Sequence, residues 1–403
     1  MTNELYGLVL AGGGTRGSYQ LGVWKALKEL DVEIGAVTGT SIGALNGSFI
    51  ALDAYDEAYD LWYNMRPSSV IKGNELVIEK ISNRKIDIKS FNSIVKYMSN
   101  VLEEGGLNID PLRELLKEKV NEEKLRNSEI DFGIVTVSLS DMKPVEVFID
   151  EIPEGKLHDY LLASSNLPVF KSEKIDGKKY IDGAFHDNLP LKLMSSKGYK
   201  KIIAVDLGAL GLKRNVKKDD LEITYITPSE PLGRTLEFNR ETSRRNIEMG
   251  YYDTLKIFKN LAGKKYYITH LPKEDDVLNK LLSLPESLIM KLGKLFGIEG
   301  IPHRRMLFEK ILPKVGEMLG SCYNDDYSTM ILNLYEFVAE KLNIDRYAIY
   351  DYDTFEKLVT SKLKDYSTKD IALHRLPKIL KQTNLYKWSL KDELLTHVLK
   401  EIS

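Results

Sequence analysis

Two glycine-bearing turns, each set between a short apolar run and a stretch of helical character, fall inside the first 63 residues of this 403-residue chain. Residues 5–11 (LYGLVLA) lead straight into Gly12-Gly13-Gly14-Thr15-Arg16-Gly17, after which Tyr19, Val23, Leu27 and Leu30 recur on one face of a predicted helix. Residues 34–39 (IGAVTG) form a second apolar run, and from Ile42 to about Tyr63 small residues predict a second helix. Strand, helix, strand, helix over so short a span predicts a parallel α/β sheet, since parallel neighbours need a crossover between them.

Further strands are expected at residues 132–138, 145–149, 180–182 and 201–207, with the intervening segment 62–127 polar and mainly helical. Residues 208–233, with their glycines, prolines and charge cluster, read as a surface loop. A helix over about 234–260 and a strand at 266–270 (YYITH) are expected to complete the sheet. Beyond residue 271 leucines recur at helical spacing, interrupted at Pro285, and no further strand is evident. The expected organisation is a catalytic α/β domain over 1–270 and an all-helical extension of unknown role over 271–403.

The first turn formally contains G-x-G-x-x-G, the dinucleotide-binding fingerprint. That reading requires an Asp or Glu about 20 residues on, at the end of the second strand. Asp31 and Glu33 precede that strand, and its end reads Thr38-Gly39-Thr40-Ser41. What stands there is Gly39-Thr40-Ser41-Ile42-Gly43, a G-x-S-x-G elbow. Such an elbow projects a serine hydroxyl above a sheet from a tight turn, where the flanking glycines permit close packing. Consecutive glycines on the adjacent turn offer backbone N–H groups for the oxyanion of an acyl-transfer intermediate, each donor worth roughly 3–4 kcal/mol of barrier. Arg16 adds positive charge.

Serine nucleophiles need a base. None of the six histidines, His158, His186, His270, His303, His374 and His397, has a persuasive context, and the elbow comes too early for an α/β-hydrolase. Asp182 does stand out, at a strand end in Tyr180-Ile181-Asp182-Gly183-Ala184, followed by Asn188 and Pro190. A desolvated site would be needed to raise it from the reference value of about 3.9.

Together the glycine loop, the elbow and Asp182-Gly183-Ala184 resemble the motifs of the patatin-like phospholipase family, in the family's order. Residues 163–170 (ASSNLPVF) and Asn188-Leu189-Pro190 resemble its supporting segments. The resemblance covers residues 5–210, extending toward 270, and leaves the helical extension untouched. It implies a three-layer α/β sandwich around a mainly parallel sheet, and a lipid acyl hydrolase with a Ser-Asp dyad. Ser41 would be the nucleophile and Asp182 its base. Gly12, Gly13, Gly14 and Arg16 would form the oxyanion hole, and Gly17, Gly39, Gly43 and Gly183 would shape the motifs. One departure is Ala11, where many members carry Asp. The competing readings are a malonyl-transacylase-type acyltransferase using His158, and a non-catalytic lipid-binding or interaction protein.

Composition narrows the partners. With 57 basic and 59 acidic residues the formal charge is −2, which excludes a bulk-cationic nucleic-acid binder. A single cysteine, Cys322, allows neither an intramolecular disulfide nor a cysteine zinc site, and the chain reads as cytoplasmic. The opening residues lack the basic and apolar regions of a signal peptide, and no apolar run reaches the roughly 18 residues of a membrane span. No metal or cofactor is called for. The expected partner is a phospholipid or another acyl-ester lipid, met at a peripheral membrane surface. Residues 356–403 carry more Lys and Arg than Asp and Glu, interleaved with Leu373, Leu376, Ile379, Leu380, Tyr386 and Trp388. A basic amphipathic helix of that kind lies on an anionic bilayer or, the preferred reading, packs on its own bundle.

Overall fold

The computed structural model describes residues 5–72, 106–171, 174–216, 220–321, 326–366 and 391–403. Cys322, His374 and the tail apolars Leu373–Trp388 lie outside the described residues, as does much of the segment 62–127. The chain divides into two compact units, Met1–Ile257 and Phe258–Ser403.

The first unit is built on an eight-stranded sheet. Its strands are β1 (Tyr6–Leu10), β2 (Ile34–Thr40), β3 (Asp131–Ser138), β4 (Lys143–Phe148), β5 (Lys174–Ile175), β6 (Lys178–Asp182), β7 (Lys201–Val205) and β8 (Glu222–Ile226). Along the order β5-β6-β3-β2-β1-β7-β8, the run from β3 to β8 is parallel, while β6 and β4 pair with β3 antiparallel. The helices are α1 (Ser18–Glu29), α2 (Ile42–Ala51), α3 (Tyr55–Tyr63), α4 (Asp110–Lys119), α5 (Glu122–Arg126), α6 (Leu157–Ser164), α7 (Leu191–Ser196) and α8 (Arg240–Phe258). They cover both faces of the sheet. A β-carbon on Gly47 of α2 would touch Val37 and Phe132, whereas Leu193 of α7 abuts Gly133, the next residue of β3. Successive strand residues face opposite ways, so α2 and α7 lie on opposite faces. The central strands are apolar on both faces because both are covered.

Three sequence expectations change. The helix expected from Ile42 to Tyr63 is two, α2 and α3, separated at Asp53, which takes φ 48°. The supposed loop 208–233 contains β8, whose half-exposed sequence EITYI lacks an apolar run because it is an edge strand. The strand expected at 266–270 does not complete the sheet. As β9 (Tyr267–Ile268) it pairs in parallel with β10 (Ile349–Tyr350), and Tyr266 and Ile268 belong to the core of the second unit. That packing moves the division between units from near 271 back to 257/258.

The second unit is helical apart from this strand pair. Its described helices are α9 (Glu274–Ser283), α10 (Glu286–Phe296), α11 (His303–Met306), α12 (Leu312–Leu319), α13 (Tyr327–Lys341), α14 (Tyr352–Asp365) and α15 (Lys391–Ile402), with a π-helical turn, Leu307–Ile311, joining α11 to α12. Pro285 caps α10 and separates it from α9, as its missing N–H requires. The buried Glu336 of α13 accepts hydrogen bonds from the backbone N–H groups of Lys264, Lys265 and Tyr266, which fixes the turn before β9. None of the described helices is long and apolar enough to cross a membrane.

Candidate functional site

At the end of β2 the chain turns sharply into α2, and Ser41 at the corner takes φ 56° and ψ −125°. A non-glycine residue at positive φ stores on the order of 1–3 kcal/mol of strain, which the surroundings must hold. They do so by contact. A β-carbon on Gly39 would lie 2.3 Å from the Gly43 carbonyl oxygen, and one on Gly43 would lie 2.3 Å from that of Leu10. Both motif glycines are thus required by how tightly β1, β2 and α2 approach. The Ser41 N–H donates to Ser164 Oγ at 2.9 Å, and Ser164 Oγ in turn donates to the Val135 carbonyl at 2.6 Å.

Asp182 reaches the same point from the opposite direction. Thr40 of β2 pairs with Val135 of β3, and Asp182 of β6 pairs with Thr136, the next residue. Because β4 occupies the other edge of β3 along this stretch, β6 takes up the edge that β2 vacates. The Ser41 hydroxyl donates to Asp182 Oδ2 at 2.6 Å across 141 residues of chain. Asp182 Oδ1 accepts from the Ala184 N–H at 2.8 Å, and Asn166 O receives the Asp182 N–H at 2.9 Å. Asp182 is 1% exposed. Burial pushes its carboxyl up to about 6, against the hydrogen bonds from Ser41 and Ala184, which favour the ionised form.

The glycine loop follows β1 onto the same sheet edge. A β-carbon on Gly12 would lie 3.1 Å from Ser41 Cβ, so loop and elbow are in contact. The loop is tied at both ends. Gln20 Nε2 donates to the Ala11 carbonyl and Asn46 Nδ2 to that of Gly17. Asn46 also binds Gln20 and the Trp62 indole. Thr15 binds the carbonyls of Arg234 and Thr235. Gly14 sits at φ 57°, and a β-carbon there would strike the Thr235 carbonyl oxygen at 2.0 Å.

Two members of the expected oxyanion set are engaged elsewhere. The Gly12 N–H donates to the Asn188 carbonyl at 3.1 Å. The Arg16 guanidinium donates to the carbonyls of Gly233 and Gly208, at 2.9 and 3.0 Å. Arg16 therefore ties two loops to the glycine loop through two of its five N–H donors. The backbone N–H groups of Gly13, Gly14 and Ile42 have no hydrogen-bond partner among the described residues. Gly17 packs on Ile42 and Trp62, and a β-carbon on Gly183 would lie 2.2 Å from the Val135 carbonyl oxygen.

Ser41, Ile42 and Gly14 open onto a cleft of about 870 Å³, its solvent mouth included. Leu45, Phe49, Leu61, Met65, Leu115 and Leu167 give it an apolar wall. No histidine among the described residues lines it. His158, the residue the acyltransferase reading requires, faces the Val120 carbonyl at 2.8 Å from Nε2. Sequence reasoning missed Asn46 and Gln20, and Ser164 was visible only as part of a familiar segment. A buried polar residue inside an otherwise apolar helix, as Asn46 is, was the available signal.

The fold thus sets a strained serine, hydrogen-bonded to a buried aspartate, above an apolar cleft. Residues 8–195, just under half of the chain, match the family model described as patatin-like phospholipase. The chain is 27% identical over 212 residues to patatin-like phospholipase domain-containing protein 7 of Mus musculus, covering 52% of this chain and 14% of that protein. It is 28% identical over 205 residues to lysophospholipase nte1 of Aspergillus terreus, covering 51% and 12%. The matched segments span less than a fifth of the length of these relatives. Among solved structures, VipD from Legionella pneumophila aligns over 98% of this chain and 86% of its own, with a TM-score of 0.41 and 15% identity.

Proposed function

We propose that this protein is a lipid acyl hydrolase in which Ser41 is the nucleophile and Asp182 the general base. The observation that carries the proposal is the 2.6 Å hydrogen bond from the Ser41 hydroxyl to a carboxylate 1% exposed and raised to about 6. A carboxylate in that range accepts a proton more readily than an exposed one, yet stays ionised at neutral pH. The substrate is a phospholipid or another acyl-ester lipid whose chain lies along the apolar cleft, and the protein works as a cytoplasmic enzyme that visits a membrane surface.

In the first step Ser41 Oγ attacks the ester carbonyl carbon while Asp182 takes the hydroxyl proton. The carbonyl oxygen becomes an oxyanion, held by the amides of Gly13 and Gly14. Collapse breaks the bond to the alcohol, which leaves with the proton from Asp182, and an acyl-Ser41 ester remains. Water then attacks that ester, again giving up its proton to Asp182. The fatty acid departs as Ser41 recovers its proton. Asp182 carries each proton, so the sequence requires no histidine.

Labelling with a serine-directed fluorophosphonate tests the assignment. Wild type should label rapidly, Asp182→Asn slowly and Ser41→Ala not at all. Equal labelling of wild type and Ser41→Ala would show the nucleophile to be another residue.

A further inference from the structure

β1, β2, β3 and β7 run parallel, so the loops that follow them leave one edge of the sheet. That edge carries Ser41. It also gathers most of the first unit's exposed large apolar side chains among the described residues: Leu139, Met142, Phe185, Leu210 and Leu212, against Leu5, Tyr225 and Ile257 elsewhere. Leu210 is 74% exposed and Leu212 61%. Scattered single leucines on a surface are ordinary, but a cluster beside a cleft marks a contact surface.

The loop bearing these two leucines is braced against the site. The Leu212 N–H donates to the Ala184 carbonyl at 3.0 Å, and the Leu212 carbonyl accepts from the Asn188 N–H at 2.6 Å. Arg16 holds the Gly208 carbonyl. A β-carbon on Gly13 would lie 3.3 Å from Ala209 Cβ, and one on Gly211 would lie 2.7 Å from Asn188 Cβ. Leu210 and Leu212 therefore stand on backbone that touches both the glycine loop and the segment after Asp182, which also carries Phe185, 52% exposed.

Charge next to the leucines supplies the sign of the partner. Lys213 pairs with Asp206, and Arg214 lies 3.7 Å from Glu146 and 3.0 Å from His186 Nε2. In both ion pairs the cation is the more exposed partner: 40% for Lys213 against 17% for Asp206, and 39% for Arg214 against 22% for Glu146. Two projecting leucines followed directly by two outward cations match the boundary between acyl chains and phosphates of a bilayer.

We propose that this loop face docks on a phospholipid bilayer, with Leu210 and Leu212 entering the acyl boundary and Lys213 and Arg214 meeting lipid phosphates. The proposal rests on the acyl hydrolase reading, in that it explains how a membrane-resident ester reaches Ser41. Docking at this face sets the serine and its cleft against the bilayer, and places the membrane contact within the first unit.

The test uses full-length Ser41→Ala protein, so that binding is read without hydrolysis, and co-sedimentation with vesicles of phosphatidylcholine containing phosphatidylglycerol. Adding Leu210→Ser and Leu212→Ser together should weaken binding by about tenfold or more. Adding Tyr225→Ser, an exposed apolar residue away from this edge, should leave it unchanged. In the Ser41 protein, the double leucine variant should hydrolyse a short water-soluble ester at the parental rate while losing activity on vesicle lipid. Equal vesicle binding by parent and double variant overturns the proposal. So does an absence of vesicle binding in a protein whose Ser41 form turns over the soluble ester, an outcome that points to a protein partner for this face. Leucine-dependent vesicle binding without any ester hydrolysis would uphold the docking face and overturn the hydrolase reading instead.

Discussion

Ser41 and Asp182, 141 residues apart in sequence, are hydrogen-bonded at 2.6 Å because β3 offers the same edge to two strands arriving from opposite directions. Where β2 ends at Thr40 beside Val135, β6 ends at Asp182 beside Thr136. The neighbouring ladder positions bring the serine and the carboxylate together, and burial then sets the carboxylate's affinity for a proton.

The pH profile should report that burial. With Asp182 required in its ionised form, kcat/KM on a soluble ester should be flat above pH 7 and fall about tenfold per unit below about 6. Burial also pushes Asp187 up to about 6, so the profile of Asp187→Asn should be recorded beside that of wild type. If the acid limb disappears in Asp187→Asn, it belongs to that residue and not to Asp182.

Asp182→Asn should lower kcat by a factor on the order of 10³ while binding of a substrate analogue changes little. The same substitution should stabilise the fold at high pH. The folded-state value lies above the unfolded one, so the contribution of Asp182 is fully present below about 3.8 and is lost as pH rises through about 6. Between pH 4 and pH 8 the stability of Asp182→Asn relative to wild type should therefore rise by about 2 kcal/mol, measured by urea unfolding. A pH-independent difference would mean that the carboxyl is not desolvated as the geometry implies.

Ser164→Ala removes the acceptor of the Ser41 N–H and the donor to the Val135 carbonyl, both buried. Leaving such groups without partners costs about 1–3 kcal/mol each. Thermal unfolding should show a clear loss of stability. The rate of fluorophosphonate labelling should fall by roughly tenfold or more, because the strained elbow is no longer held.

Gly43→Ala is expected to destabilise the protein by about 1–3 kcal/mol or more, since its methyl would sit 2.3 Å from the Leu10 carbonyl oxygen. Gly155→Ala, at a turn with open space around it, should cost only its positive φ, near 1 kcal/mol. Similar melting temperatures for the two variants would contradict the close approach of β1 and α2.

Much of this site was legible in the chain because its chemistry is written in turns. A glycine loop after one strand, G-x-S-x-G after the next and Asp-Gly at a later strand end are local patterns whose steric reasons act within a few residues. Edge strand β8 and the partner of β9 were not legible, because an edge strand and a two-residue strand carry too little apolar periodicity to show how they pair. Likewise, Gly12 looks like an oxyanion donor in the sequence, and only the fold shows its N–H already given to Asn188 and two of the Arg16 donors given to Gly208 and Gly233.

By itself, then, the sequence determined the backbone types at the turns and the residues able to do acyl-transfer chemistry, since backbone permissiveness and side-chain functional groups are properties of single residues. The tertiary structure decided which amides stay free, that Ser164, Gln20 and Asn46 hold the loop and elbow in place, and that Asp182 is desolvated beside Ser41. The Ser164 and Asp182 contacts depend on strand register and on residues more than a hundred positions apart. Those of Gln20 and Asn46 depend on how α1, α2 and α3 pack, and no local pattern encodes either.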